Sequence, residues 1–210
     1  MFTRRTLAIL SVAAALTMSA CGENTTAASE PAPPAALGEM SLGAPDAPVT
    51  LVEYASITCP ACKIAHEQIL PTIKAQYIAN GQVRYVFREF PTPPVPLAIA
   101  GFSVARCAGS DKYFEALDLF FADQNGLIDA ARSGTADQKM RDIGEQLGLS
   151  SGQVDACTGS DEIIGAIGRI VQGGESLGVS STPTFFVNGV QVADRSLNGL
   201  TAAIDAALAE

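Results

Sequence analysis

The chain has no tryptophan, one histidine and few cations. Its 210 residues carry 13 Lys and Arg against 22 Asp and Glu, a formal net charge of −9. No basic residues cluster, which makes nucleic acid and anionic headgroups poor partners. A lone His66 cannot supply the paired histidines of a common zinc site, and Cys59-x-x-Cys62 has no second CxxC to complete a four-cysteine one. No metal or other cofactor is therefore expected. Long apolar runs are also missing. The best, Leu7 to Ala20, is about fourteen residues, short of the ~20 needed to span a bilayer.

What is there begins with that run. Arg4 and Arg5 precede it, so residues 1–20 read as a secretory signal. Met18-Ser19-Ala20-Cys21 resembles a bacterial lipobox, which would place lipid on Cys21 after cleavage. Met18 stands where leucine is preferred, and ordinary cleavage after Ala20 is the alternative. Thr3-Arg4-Arg5-Thr6-Leu7 leaves general and twin-arginine export both open. Residues 21–38, rich in Ala and Pro and without periodicity, read as a flexible tether. At ~3.1 Å per residue it would reach roughly 50 Å. Losing two leader arginines takes the net charge from −9 to −11.

Five cysteines in an exported chain call for an account of the odd one. With Cys21 given to lipid, four remain. Cys59 and Cys62 pair locally, which leaves Cys107 with Cys157 as a long-range structural bridge in an oxidising compartment.

The rest reads as one domain over residues 39–209. Met40 to Leu42 and Thr50 to Ala55 are strands, followed by a helix from Cys59-Pro60 to about Ala79 with Pro71 as a kink. Pro60 suits the first helical position, and Asn80-Gly81 stop the helix. Gln82 to Phe90 is a third strand, and strand–helix–strand order implies parallel pairing. Residues 97–108, 111–124, 135–148 and 161–177 have helical period, an insertion spanning about 95–178. Thr184 to Val187, the turn Asn188-Gly189 and Val190 to Val192 form a hairpin before a helix over 197–208. Phe185 and Phe186 belong to its core.

Cys-Pro-x-Cys after a strand, a helical insertion, and Thr182-Pro183 before a hairpin resemble the DsbA family of exported thiol–disulfide oxidoreductases over about residues 39–209. The resemblance implies an α/β thioredoxin fold with a helical insertion domain. It implies a periplasmic enzyme that oxidises cysteine pairs of secreted proteins through Cys59 and Cys62, reset by a membrane redox partner. Val83 to Phe90 and Arg106-Cys107-Ala108-Gly109 look like the branch with a second, non-catalytic disulfide. Thr182-Pro183 resembles the loop whose proline is cis and faces the redox pair, with Thr182 docking substrate backbone. Glu53, six residues before Cys59, matches the family's buried acid and is a proton-relay candidate; the alternative is a solvated edge-strand glutamate. Arg84 or Arg88 is its expected counter-charge. Ala61 stands where the strongest oxidants carry histidine, which argues against extreme oxidising strength.

The residues support the same chemistry independently. A thiolate attacks a disulfide, and a sulfur at a helix N-terminus is stabilised as thiolate by unpaired N–H groups and the macrodipole. Cys59 holds that place, while Cys62 lies one turn in, on the apolar face. Cys59 is thus the expected attacking sulfur and Cys62 the resolving one. His66, four residues on, reads as a partly exposed helix residue. An isomerase or reductase of the same fold, or a non-catalytic binding lipoprotein, are the competing readings. Residues 22–38 lack heptads, which favours a monomer touching the membrane through lipid alone.

Overall fold

The computed structural model describes Met1 and residues 35–210. The leader, Cys21 and the tether up to residue 34 lie outside the described residues.

Five strands form one sheet in the order β1-β3-β2-β4-β5. These are β1 (Met40–Leu42), β2 (Val49–Ala55), β3 (Val83–Glu89), β4 (Thr184–Val187) and β5 (Val190–Gln191). β2 and β3 run parallel, with Leu51 opposite Tyr85 and Glu53 opposite Phe87. The other pairings are antiparallel. Alternation puts Leu51, Glu53, Tyr85, Phe87 and Phe185 on one face, and Val52 and Phe186 on the other.

The first face carries the helical run that starts at Pro60. It consists of α1 (Pro60–Ile64), a π turn (Ala65–Ile69), α2 (Leu70–Ile73) and a second π turn (Lys74–Ile78). Pro71 interrupts the ladder as expected, but the break takes the form of a π turn. The Leu70 N–H reaches back to the Ala65 carbonyl, widening the helix just ahead of a residue with no N–H of its own. α9 (Leu197–Leu208) packs on the same face through buried Leu200 and Ile204.

Between β3 and β4 lies the insertion: α3 (Val95–Cys107), α4 (Tyr113–Ala122), α5 (Gln124–Ser133), α6 (Ala136–Gln146), α7 (Ser151–Thr158) and α8 (Asp161–Ser176). Sequence period had indicated four helices here. α5 was obscured by Asn125-Gly126, which reads as a turn, and α7 by Gly152. α7 nevertheless starts with a capping box, Ser150 and Gln153 bonding reciprocally. α3 runs close beneath the loop between β2 and α1: a Cβ on Gly101 would collide with Ile57. The insertion and first sheet face share one core around Phe87, Phe102, Tyr113 and Phe120. Tyr54, Val179 and Phe186 form a second cluster on the opposite face.

Candidate active site

Cys59 is the N-cap of α1, with extended backbone (φ −92, ψ 119) and no side-chain cap. No side chain competes with its sulfur for the N–H groups of Ala61 and Cys62 in that first turn. Cys59 is partly exposed and Cys62 fully buried, and both are free thiols. The Cys62 thiol, by donating a hydrogen bond to the Cys59 sulfur, does most to hold Cys59 below the usual 9.0, at about 5. Burial opposes this, while the Thr182 side chain and the N–H groups of Cys62 and Ala61 assist. Burial pushes Cys62 the other way, far above its usual value, and the proton it gives to Cys59 and the Glu53 charge add to that. The Ser56 N–H donates to Cys62 Sγ at 3.4 Å. One sulfur is thus a reachable thiolate and its neighbour a shielded thiol.

Thr182-Pro183, more than 120 residues away in sequence, lies against this pair. Its peptide bond is cis, as is Pro93-Pro94. Cys59 Sγ lies 3.5 Å from the Thr182 carbonyl oxygen, which accepts from it when the sulfur is protonated. Arg195 Nη1 donates to the Pro183 carbonyl at 2.9 Å. Beside Pro60, residues Thr58, Pro93, Pro94, Ile128 and Ala131 line an open, largely apolar groove of about 630 Å³, with Arg132 as its one charged residue.

Glu53 is buried at 3% exposure rather than solvated. Burial raises its carboxyl from 4.5 to about 7, a hydrogen bond from Tyr85 moderates the rise, and negative charge on Cys59 adds to it. The Tyr85 hydroxyl donates to Glu53 Oε2 at 2.5 Å. The expected cationic partner is absent from this pair. Arg84 and Arg88 lie on the other face of β3 and both bind Glu39, at 2.8 and 3.2 Å. The reason is strand alternation: even-numbered residues of β3 cannot reach a group on the odd-numbered face. Glu53 and Tyr85 share the lining of a small cavity with Ile69, Ile73 and Leu200.

Residues 35–206 match the family described as thioredoxin. The chain belongs to the thioredoxin family. Within it the fold is DsbA-like. The crystal structure of Wolbachia pipientis alpha-DsbA1 superposes with a TM-score of 0.72 at 25% identity, over 82% of this chain and 92% of that one. The Bacillus subtilis BdbD structure, at 20% identity, shares the fold with a TM-score of 0.70 over 86% of this chain and 98% of that one. A Rickettsia conorii protein provisionally named a protein-disulfide oxidoreductase is 34% identical over 176 residues, 82% of this chain. This thioredoxin-family chain spans 61–65% of the length of three such rickettsial relatives.

Elsewhere in the thioredoxin-family domain, Cys107 and Cys157 form a disulfide with Cα atoms 6.2 Å apart, tying α3 to α7 across a separation of 50 residues. His66 is buried, not partly exposed: its Nε2 lies 2.6 Å from Asp118 Oδ1, and its ring packs 4.5 Å from that of Phe121. Sequence reasoning missed three groups. Tyr85 is the partner of Glu53. Gln124, 3% exposed, donates to the carbonyls of Ile57 and Cys59 at 2.8 and 3.0 Å. Glu89 and Arg106, both buried, form an ion pair. Arg106 Nη2 donates to Glu89 Oε2 at 2.9 Å, Nε lies 2.7 Å from Oε1, and Tyr113 donates to Oε1 at 2.8 Å. Among the described residues, no group of three or more His, Cys, Asp or Glu is placed to hold a metal ion.

The buried acid gives a pH signature. Its folded value of about 7 lies above the 4.5 of an ordinary glutamate. Protonation of Glu53 therefore favours the folded state. This contribution is complete below about pH 4.5 and is lost as pH rises through about 7, amounting to at most about 3 kcal/mol by linkage. Glu53→Gln keeps shape and can still accept from Tyr85. In urea unfolding of the reduced protein, it should gain stability over the parent between pH 4.5 and 8. Parallel pH dependence of the two proteins would show that Glu53 is ionised throughout.

Proposed function

We propose that this chain is a protein thiol–disulfide oxidoreductase that oxidises cysteine pairs of exported proteins, with Cys59 and Cys62 as its redox pair. The observation that carries this reading is the asymmetry of the pair. In the oxidised enzyme, a substrate thiolate attacks Cys59 Sγ, the exposed end of the Cys59–Cys62 disulfide. A Cys59–substrate mixed disulfide forms, and Cys62 leaves as thiolate and takes up a proton. A second substrate thiolate then attacks the substrate sulfur of the mixed disulfide. Cys59 departs as a stabilised thiolate, and substrate leaves with a new disulfide. Two electrons have moved from substrate to enzyme, which ends as the dithiol seen here.

Each further residue has a role in this scheme. Thr182 offers backbone to an extended substrate beside Pro183, and the apolar groove next to Pro60 suits an unfolded segment. Glu53, near neutrality at about 7, can take and return the Cys62 proton. The Cys107–Cys157 bridge is structural, and the domain comprises residues 39–209 with the insertion at about 95–178. A periplasmic location, lipid on Cys21, a monomeric state and a membrane partner that reoxidises the pair complete the reading. A stabilised leaving thiolate favours oxidation over isomerisation, because a stabilised dithiol state makes the disulfide more oxidising.

The test is equilibrium titration of the domain in glutathione buffers with mass-spectrometric mapping. The Cys59–Cys62 pair should exchange reversibly while Cys107–Cys157 stays closed. Loss of Cys107–Cys157 at the same potential would contradict its structural role, and an inert Cys59–Cys62 pair would contradict the function. Replacing Cys107 and Cys157 by alanine should cost up to about 4 kcal/mol in urea unfolding and leave peptide oxidation within about twofold of the parent; a folded variant that no longer oxidises peptide would refute the structural role.

A further inference from the structure

The redox helix and its entry loop are tied to the α4–α5 junction by three polar side chains. Lys63 Nζ donates to the carbonyls of Phe121 and Ala122 at 2.5 and 3.1 Å, at the end of α4. His66 meets Asp118 on α4. Gln124 alone reaches the backbone of the attacking cysteine. It stands at the start of α5, is buried, and its single Nε2 supplies both hydrogen bonds, to Ile57 and to Cys59.

We propose that Gln124 is a positioning residue of the insertion that sets the ionisation, and with it the oxidising strength, of Cys59. The inference rests on the reading of Cys59–Cys62 as the redox pair. One amide nitrogen within about 3 Å of two carbonyl oxygens fixes the path of residues 57–59. That path decides where Cys59 Sγ sits relative to the N–H groups of Ala61 and Cys62 and to Thr182.

The Cys59 carbonyl has two other donors, the N–H groups of Cys62 and Lys63 at 3.1 and 3.2 Å, so it stays satisfied without Gln124. The amide is therefore not needed to start the helix. What it adds is a hold on the loop ahead of the helix, one amide nitrogen bridging the carbonyls of Ile57 and Cys59. Without that hold residues 57–59 can shift, Cys59 Sγ moves relative to the N–H groups of Ala61 and Cys62, and the thiolate becomes less favourable. Adding a negative charge there makes it less favourable again.

Gln124→Met has similar length and no donor; Gln124→Glu keeps the shape and adds a carboxylate. Each is to be prepared in the reduced full-length protein. Cys59 ionisation is read by thiolate absorbance and by the pH dependence of alkylation, the potential by glutathione titration, and stability by urea unfolding. The expected order of Cys59 ionisation is parent at lowest pH, then Met, then Glu. At pH 5 the thiolate fraction should fall several-fold in the Met variant, and the potential should become more reducing in the same order. A merely structural Gln124 would lower stability while Cys59 titrates as in the parent, and that result overturns the proposal. If the Met variant does not fold, parental ionisation in the Glu variant overturns it equally. Failure of the functional reading is seen separately, as a parent protein whose Cys59–Cys62 pair does not exchange.

Discussion

Replacing Cys62 with alanine should leave an enzyme that attacks but cannot finish. Cys59 keeps its place at the head of α1, with the N–H groups of the first turn, and still reacts with a substrate disulfide. One substrate thiolate is released and a Cys59–substrate mixed disulfide remains. In the parent, Cys62 attacks that bond from within the same helix turn. Effective molarities for well-placed intramolecular groups reach ~10⁵ M or more, whereas external thiols are present at millimolar levels. In this reducing direction, the reverse of the oxidation proposed above, turnover should therefore fall at least about 10³-fold, and covalent complexes should accumulate on non-reducing gels; without Cys62 there is also no enzyme disulfide to oxidise substrate. Cys59→Ala should give neither turnover nor complexes. Trapping by the Cys59 variant, through Cys62, would reverse the roles, and the burial of Cys62 at 0% exposure argues against it.

The second large effect lies away from the sulfurs. Arg106→Met should destabilise the domain by about 3–5 kcal/mol, the usual consequence of leaving one member of a buried ion pair uncompensated. Here Glu89 would stay at 0% exposure with only Tyr113 donating to it. The loss reaches further, because Arg106 Nη1 also donates to the carbonyls of Ala36 and Gly38 at 2.6 and 3.2 Å. The guanidinium thus pins the segment entering β1 as well as the end of α3. Glu89→Leu combined with Arg106→Met should cost less than Arg106→Met alone, since no charge is stranded. Urea midpoints of the three proteins decide it. A single variant within about 1 kcal/mol of the parent would mean that water reaches Glu89.

These cases show what the sequence could and could not reveal. Cys59-Pro60-Ala61-Cys62 and Thr182-Pro183 were legible because each carries its own chemistry in a short window. The strand–helix–strand unit and the hairpin at Asn188-Gly189 followed from residue type and period. Partners were harder, because pairing depends on which strand face a residue occupies. Glu53 looked in need of a cation, and Arg84 and Arg88 stood on the next strand along the chain. Counting alternation in Val83, Tyr85, Phe87 and Glu89 would have placed Tyr85 on the face of Glu53 and both arginines opposite. The same count marks Glu89 as an acid among buried residues. Gln124 left no such trace: helical period ended at that residue, just before Asn125-Gly126, and only tertiary packing turns it toward Cys59.

The site-resolved pH dependence of alkylation of the reduced protein tests the asymmetry of Cys59 and Cys62 most directly. Cys59 should become reactive with a midpoint near pH 5, while Cys62 stays unmodified across the range in which the fold persists. Two cysteines ionising together near 9, or Cys62 reacting first, would contradict it.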